Sequence, residues 1–586
     1  MKNQLTSALL RVTLCTYKTL NKHKFGLSIF SLVIALSFLT GCDNDSTNSP
    51  DNIDFIETSS QSNNVHLAFA GGGWRAHSGH SAWTMSLLEE GDYKLDTIFA
   101  NVGTISSNSG GSWFSTMLMY SPSFIDSIQA QDAIKSWSSL EGGWIGGQYK
   151  LFKEADCSGS IYRGYGFLPC VISATLPHYD DDAYWNLVVK DLVYSNFPIA
   201  DSITLNHPTQ PWAQNKPLLL AASLLTDEVV INATADIGGH DRFYQICADS
   251  SEPNLTGLEG AYCSDGDSIQ VTPATFSRIP VGSNYIAPPF LSQNSAKAVF
   301  NVGYKTNGTK KSAPDTTVHI TIQNPIASKN VPVITAAATS SAALGFAASE
   351  KIGGGWDASW AAEDAALSFS LADSKAQFVD AEYFTLQQMV DSSIVRIADG
   401  GAVDNSGVAQ LVSSLQQNNS ISDTLHIVAF DNVTDGYPSR WSTSEIAMTT
   451  VGTDIAYLFG EGLSPGNKFC AGKYCVNVPD LQIFEGAALY NTTAEWAYTD
   501  KENRLIYTKY IATTKANSVF NVSPNTTVVL HAFTCIYPTA DTAPMNEKGA
   551  TKLGFGAYGD MIQFIHTGLG KQGGLHHLQK ALGINK

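Results

Sequence analysis

The chain has 586 residues, 44% hydrophobic and 15% charged, and its 35 basic residues face 53 acidic ones for a net charge of −18. That apolar content with so modest a charge density builds a globular core and excludes a disordered chain. So acidic a body also excludes nucleic acid as a partner and offers no polybasic patch to an anionic membrane. The first element in chain order is an apolar run at 25–40, preceded by Lys2, Arg11, Lys18, Lys22 and Lys24. It is too short for a spanning helix and has the charged and apolar zones of an export signal. No acidic residue precedes Cys42, so the body beyond it holds 30 basic against 53 acidic residues, about −23. Residues 43–64 are rich in Ser, Asn and Asp and read as a flexible tether.

The folded part begins with an apolar strand at 65–70, the turn Ala70-Gly71-Gly72-Gly73-Trp74-Arg75, and a helix-like run at 76–90. A second unit repeats the plan: a strand at 98–105, the segment Ser107-Asn108-Ser109-Gly110-Gly111, and a helix at 113–120. Residues 141–170 are rich in glycine and aromatics, as suits a surface insertion or lid. A helix is expected over 181–194 and strands over 217–225, 394–398 and 425–430. The strand at 394–398 runs into Asp399-Gly400-Gly401, which puts a carboxylate at a strand end. This alternation predicts an α/β domain. Beyond 432 the pattern is less regular, with one clear strand at 527–535, and no linker separates it. Residues 65–586 therefore read as a single domain, with its motifs in 65–432.

Seven cysteines remain besides Cys15 and Cys42. Their spacing suggests small-loop disulfides pairing Cys157 with Cys170, Cys247 with Cys263, and Cys470 with Cys475. Cys535, inside the last strand, reads as a buried free thiol. No second Cys/His pair accompanies Cys470 and Cys475, so a zinc site is disfavoured.

The two turns and the carboxylate supply what acyl transfer requires. Backbone N–H groups at a helix start hold an oxyanion, and a serine on a tight turn attacks. A carboxylate serves as base when burial raises its pKa, and no metal or cofactor is called for. Ser109 is the preferred nucleophile because two glycines follow it at once; Ser106, Ser107 and Ser112 are its rivals. His77 and His80, one turn apart, leave open a Ser–His–Asp triad, and Asp404 is a second candidate base. Gly71-x-Gly73-x-x-Ala76 also fits a dinucleotide fingerprint, but Arg75 inside the loop and the separate serine motif argue against it.

Three motifs resemble the catalytic domain of the cytosolic phospholipase A2 and fungal phospholipase B (lysophospholipase) family, distant relatives of patatin. They are Gly71 with its following glycines, Trp74, Arg75 and Ala76; Ser109-Gly110-Gly111-Ser112-Trp113-Phe114; and Ile397-Ala398-Asp399-Gly400-Gly401 followed by Asn405. Val271-Thr272-Pro273 and Ala343-Leu344-Gly345-Phe346-Ala347-Ala348-Ser349 are weaker echoes. The resemblance implies a three-layer α/β/α domain with a largely parallel central sheet and insertions. It implies a Ser109–Asp399 dyad that works through an acyl-enzyme, an oxyanion hole at the N–H groups of Gly72 and Gly73, and Arg75 facing the substrate phosphate. The implied substrates are glycerophospholipids or lysophospholipids. One departure is Ser107, where the family has glycine two residues before the nucleophile. An esterase acting on other esters and a catalytically decayed, lipid-binding surface lipoprotein stay open as alternatives. Separately, Leu39-Thr40-Gly41-Cys42 resembles a bacterial lipobox, implying a signal peptide at 1–41 and a lipidated Cys42. The chain is then expected in the bacterial cell envelope, held to the inner or outer membrane by its acyl chains, or exported.

Overall fold

The structure is a computed structural model, and it describes residues 65–89, 94–135, 144, 187, 189–226, 230–236, 241–248, 268–286, 297–306, 309–321, 331–341, 375–377, 396–418, 424–434, 436–437, 451–461, 468–471, 474–477, 480–538 and 550–584. Among these, eleven strands join into one sheet. They are β1 (Val65–Phe69), β2 (Val102–Asn108), β3 (Leu218–Thr226), β4 (Ser268–Arg278), β5 (Arg396–Asp399), β6 (Thr424–Val433), β7 (Lys468–Ala471), β8 (Tyr474–Asn477), β9 (Trp496–Asp500), β10 (Asn503–Thr513) and β11 (Thr527–Ile536). The order across the sheet is β7-β8-β4-β3-β2-β1-β6-β11-β10-β9, with β5 also paired to β3. The five central strands, β3, β2, β1, β6 and β11, run parallel. Antiparallel β4 and β10 flank them, so the sheet is mixed around a parallel centre. A separate antiparallel sheet of five strands spans Val230–Asp236, Asp241–Ala248, Lys297–Thr306, Thr309–Thr321 and Lys375–Gln377.

The longer helices are α1 (Gly73–Glu89), α2 (Gly110–Tyr120), α3 (Pro122–Gln129), α4 (Val333–Ser340), α5 (Val408–Gln417), α6 (Ala550–Leu569) and α7 (Gly574–Ala581). They cover both faces of the sheet, which makes the domain a three-layer α/β/α sandwich. The strand sequences show why. Leu67 and Phe69 of β1, Val428 and Phe430 of β6 and Phe533 of β11 pack with α1, α2, α4, α6 and α7. The alternate residues Ala68, Ile427, Ala429, Leu530 and Ala532 pack with α5 on the other face. A strand buried on both sides needs this near-continuous apolar run. Each fully buried large apolar side chain contributes about 1.5–3 kcal/mol relative to exposure.

Two local expectations are corrected. Leu95–Ile98 forms a helical turn, with Asp96 in its first turn, so β2 starts at Val102. The stretch after residue 432 is regular: β10 and β9 extend the sheet antiparallel from β11, and α6 packs on α1. Of the helix expected over 181–194, the described end is a π-helical turn, Val189–Val193. Val271, Thr272 and Pro273 lie on β4. Cys535 is a buried free thiol, and the backbones of Cys470 and Cys475 stand opposite each other in the β7–β8 hairpin. The export signal, Cys42 and its tether, Cys157, Cys170, Cys263 and residues 343–349 lie outside the described residues, as does the 141–170 insertion apart from Trp144.

Candidate active site

Gly71, Gly72 and Gly73 carry the chain from β1 into α1. Gly72 has φ 125° and Gly73 φ 56°, conformations that glycine reaches without steric cost. The N–H of Gly71 donates to the Asn405 carbonyl at 2.8 Å, which pins the loop at one end. No hydrogen bond among the described residues takes up the N–H of Gly72 or Gly73. The first turn of α1 also contains no acidic residue. Two free donors therefore stand at the positive end of a 17-residue helix, where an oxyanion is welcome.

The second turn lies against the first. Ser109 follows β2 and precedes α2 with φ 48° and ψ −123°, a conformation costing on the order of 1–3 kcal/mol that persists only where packing enforces it. Gly110 and Gly111 supply that packing. A Cβ on Gly110 would stand 2.7 Å from Gly73 N, and one on Gly111 2.7 Å from the Ala70 carbonyl. The two loops touch backbone to backbone, and no larger residue fits between them. α2 has no side-chain cap, and the Gly110 N–H is also unclaimed among the described residues. It is a third unclaimed donor, one residue after Ser109, a position the sequence reading left aside although an N–H directly after a candidate nucleophile marks it. The neighbouring α3 is capped by the Ser121 hydroxyl, which accepts from Phe124 N at 3.4 Å, and carries Pro122 at its start.

The left-handed backbone falls on Ser109 and not on Ser107. Ser107 therefore needs none of the freedom of glycine, and its hydroxyl lies 2.7 Å from that of Ser115.

Asp399 reaches Ser109 through the edge of β3. Ile105–Asn108 of β2 pair with Leu218–Ala221 of β3 in parallel. One residue further along that edge, Asp399 pairs with Ala222 in antiparallel sense. Two segments from distant parts of the chain thus run toward each other along one strand and stop where they meet. The Ser109 hydroxyl donates to Asp399 Oδ2 at 2.9 Å, and the Gly401 N–H donates to Oδ1 at 2.7 Å. Ser109 is 8% exposed and Asp399 5%. Burial pushes the Asp399 carboxyl up to about 6, against the opposing pull of the Gly401 and Ser109 hydrogen bonds.

Asn405 ties the three motifs together. Its carbonyl accepts from Gly71, its Oδ1 accepts from Asn108 Nδ2 at 3.0 Å, and its Nδ2 donates to Asp454 at 2.6 Å. Asp404 is a cap. Its Oδ1 accepts from the N–H groups of Ser406 and Gly407 and the Ser406 hydroxyl, and its Oδ2 from the N–H groups of Ala409 and Gln410. Those bonds hold the start of α5 and leave no base there for Ser109.

Arg75 is buried beside the glycine loop. It is 5% exposed, Nε donates to the Asn432 carbonyl at 2.7 Å, and a Cβ on Gly72 would lie 2.7 Å from one of its terminal nitrogens. Asp431 is close enough to feel its charge: burial and the nearby Asp454 push that carboxyl well up, and Arg75 works against them. The guanidinium braces the glycine loop from inside.

The histidines are engaged elsewhere. His80 Nε2 bonds the Ala70 carbonyl at 2.8 Å and its Nδ1 meets Asn432 Nδ2 at 3.1 Å, so the neutral ring carries its proton on Nε2. His77 Nε2 lies 3.3 Å from Met117 Sδ. Burial lowers His77 to about 3 and His80 to about 4, and neither ring is hydrogen-bonded to Ser109 or Asp399. Ser106, Ser107 and Ser112 are wholly buried, and none is hydrogen-bonded to a carboxylate. Among the described residues no cluster of His, Cys, Asp and Glu is arranged to hold a metal. Neither a family model nor a curated protein matches the chain, and the chemistry rests on the residues themselves.

Proposed function

We propose that this chain is a serine acyl hydrolase that cleaves fatty-acyl esters of glycerophospholipids or lysophospholipids through a Ser109–Asp399 dyad. The observation that carries the reading is the 2.9 Å hydrogen bond from the Ser109 hydroxyl to a buried carboxylate, beside unclaimed N–H groups. Asp399 takes the Ser109 proton as Oγ attacks the acyl carbonyl. The tetrahedral oxyanion settles on the N–H groups of Gly72, Gly73 and Gly110. Collapse forms the acyl-enzyme, and the proton passes from Asp399 to the departing alcohol. A water then gives its proton to Asp399 and attacks the acyl-enzyme, releasing the fatty acid and returning the proton to Ser109. A carboxyl poised near 6 is basic enough to accept the proton and acidic enough to return it.

A second reading, hydrolysis of uncharged acyl esters, is favoured by one observation: Arg75 is spent on the loop. The lipobox resemblance and the resemblance of the three motifs support the phospholipid reading. The test is incubation of the purified protein with mixed phospholipids, lysophospholipids and neutral glycerides, with product mass spectrometry and fluorophosphonate labelling. Labelling lost in Ser109→Ala together with release of fatty acid and a lysophospholipid or glycerophosphodiester supports the proposal. Release from neutral glycerides alone selects the second reading. A protein that neither labels nor hydrolyses is the lipid-binding alternative.

A further inference from the structure

Ser340 closes α4 from a position wholly inside the protein, and it touches both halves of the site. Its hydroxyl accepts the backbone N–H of Ser109 at 3.1 Å, and its carbonyl accepts the N–H of Gly400, the residue after Asp399, at 3.3 Å. The same hydroxyl donates to the Ala221 carbonyl at 2.6 Å, on β3 where β2 and β5 meet. With its single proton so committed, its 2.8 Å contact with Ser112 must be a bond that Ser112 donates. Ser107 shares a 2.7 Å hydrogen bond with Ser115, whose hydroxyl also reaches the Ser112 carbonyl at 3.3 Å. Ser340 is where this group of buried hydroxyls reaches Ser109.

We propose that Ser340 is the positioning residue of this site: by hydroxyl on one side and carbonyl on the other, it holds the strained nucleophile turn and the acid turn at their working separation. The proposal rests on the dyad reading. The left-handed backbone of Ser109 has no glycine to relax it, and its N–H lies inside the protein. Without an acceptor there, Ser109 gains by rotating out of the conformation that aims Oγ at Asp399. Small displacements at a reacting centre cost about a hundredfold in rate. Ser340 itself meets neither substrate nor the reacting atoms.

The experiment compares Ser340→Ala, Ser340→Thr, Ser340→Cys and Thr339→Val, using a small chromogenic ester for kcat and KM and the thermal midpoint for stability. Thr339 is an equally buried hydroxyl one residue away whose proton goes to the Thr335 carbonyl, remote from the dyad. Ser340→Ala is expected to lower kcat and the rate of fluorophosphonate labelling by roughly tenfold to a hundredfold, with KM within about twofold. Ser340→Thr, which keeps the hydroxyl, restores most of the loss. Thr339→Val lowers the midpoint and leaves kcat per folded molecule unchanged. Should Ser340→Ala not fold, Ser340→Cys fills the same space with a weak acceptor and gives the same loss in kcat. The proposal is overturned if Ser340→Ala or Ser340→Cys loses no more activity than Thr339→Val, if Ser340→Thr fails to recover it, or if KM takes the whole effect. Activity that Ser109→Ala leaves intact sinks the dyad reading instead. Activity dependent on Ser109 but indifferent to Ser340 sinks only this proposal.

Discussion

Replacing Asp399 by Asn should stabilise the fold while abolishing turnover, and the gain should depend on pH. In the folded protein burial raises the carboxyl from 3.8 to about 6, so the native state holds this proton more tightly than the unfolded chain does. Its contribution to stability is then fully present below pH 3.8 and is lost as pH rises through about 6. With both values in hand, the ionised carboxylate costs roughly 3 kcal/mol at pH 8 and about half that at pH 5. Asn keeps both hydrogen bonds, accepting from Gly401 with its oxygen and donating to Ser109 Oγ with its amide, and it carries no charge. Urea denaturation at the two pH values measures the difference directly. Asp399→Asn should exceed the wild type by roughly 3 kcal/mol at pH 8, with the margin narrowing at pH 5. The same ionisation sets the acid limb of wild-type kcat/KM, which should rise with pH through about 6 because the base must be charged to act. A variant less stable than wild type at pH 8, or a margin independent of pH, would refute the argument that burial of this carboxylate sets its protonation.

Other outcomes follow from the packing of the loops. Gly110→Ala forces a methyl group against the backbone of Gly73 and should cost on the order of a hundredfold in kcat; ester kinetics on the folded variant check it, and near-normal turnover would show that the two loops are free to part. Arg75→Lys keeps the charge but loses the planar fork, and with the guanidinium bracing the loop it should slow hydrolysis of phospholipid and of a small uncharged ester alike. A loss confined to the phospholipid would return Arg75 to the substrate. Hydrolysis should survive chelation, since a Ser–Asp pair needs no Lewis acid; calcium restoring an activity that chelator removed would contradict this. Cys42→Ala should accumulate an unlipidated precursor, and undiminished incorporation of radiolabelled fatty acid would defeat the lipobox reading.

What the amino-acid order alone determined was local. Apolar runs that turn at glycines into helices mark β1 with α1 and β2 with α2, because strand, turn and helix start are set by neighbours within a few residues. The left-handed turn at Ser109 is legible in the same way, from the two glycines behind it. β10 escaped that reading: as a flanking strand its polar residues, such as the half-buried Lys509 and the exposed Thr513, interrupt the apolar run. Four features were decided only by the tertiary structure. Asp399 lies 290 residues from Ser109, and the two meet because β5 and β2 share one edge of β3 from opposite directions. Arg75 is adjacent to the glycine loop in sequence, yet its role follows from Asn432, 357 residues away. Asp404 looks like a second base until its carboxylate is found holding the start of α5. Ser340, at the end of an apolar helix, carries no local mark at all, because a hydroxyl that accepts one N–H across the protein is chemically the same residue as one that accepts none. Local propensity writes itself into spacing, whereas a contact between distant segments exists only once the sheet has brought their ends together.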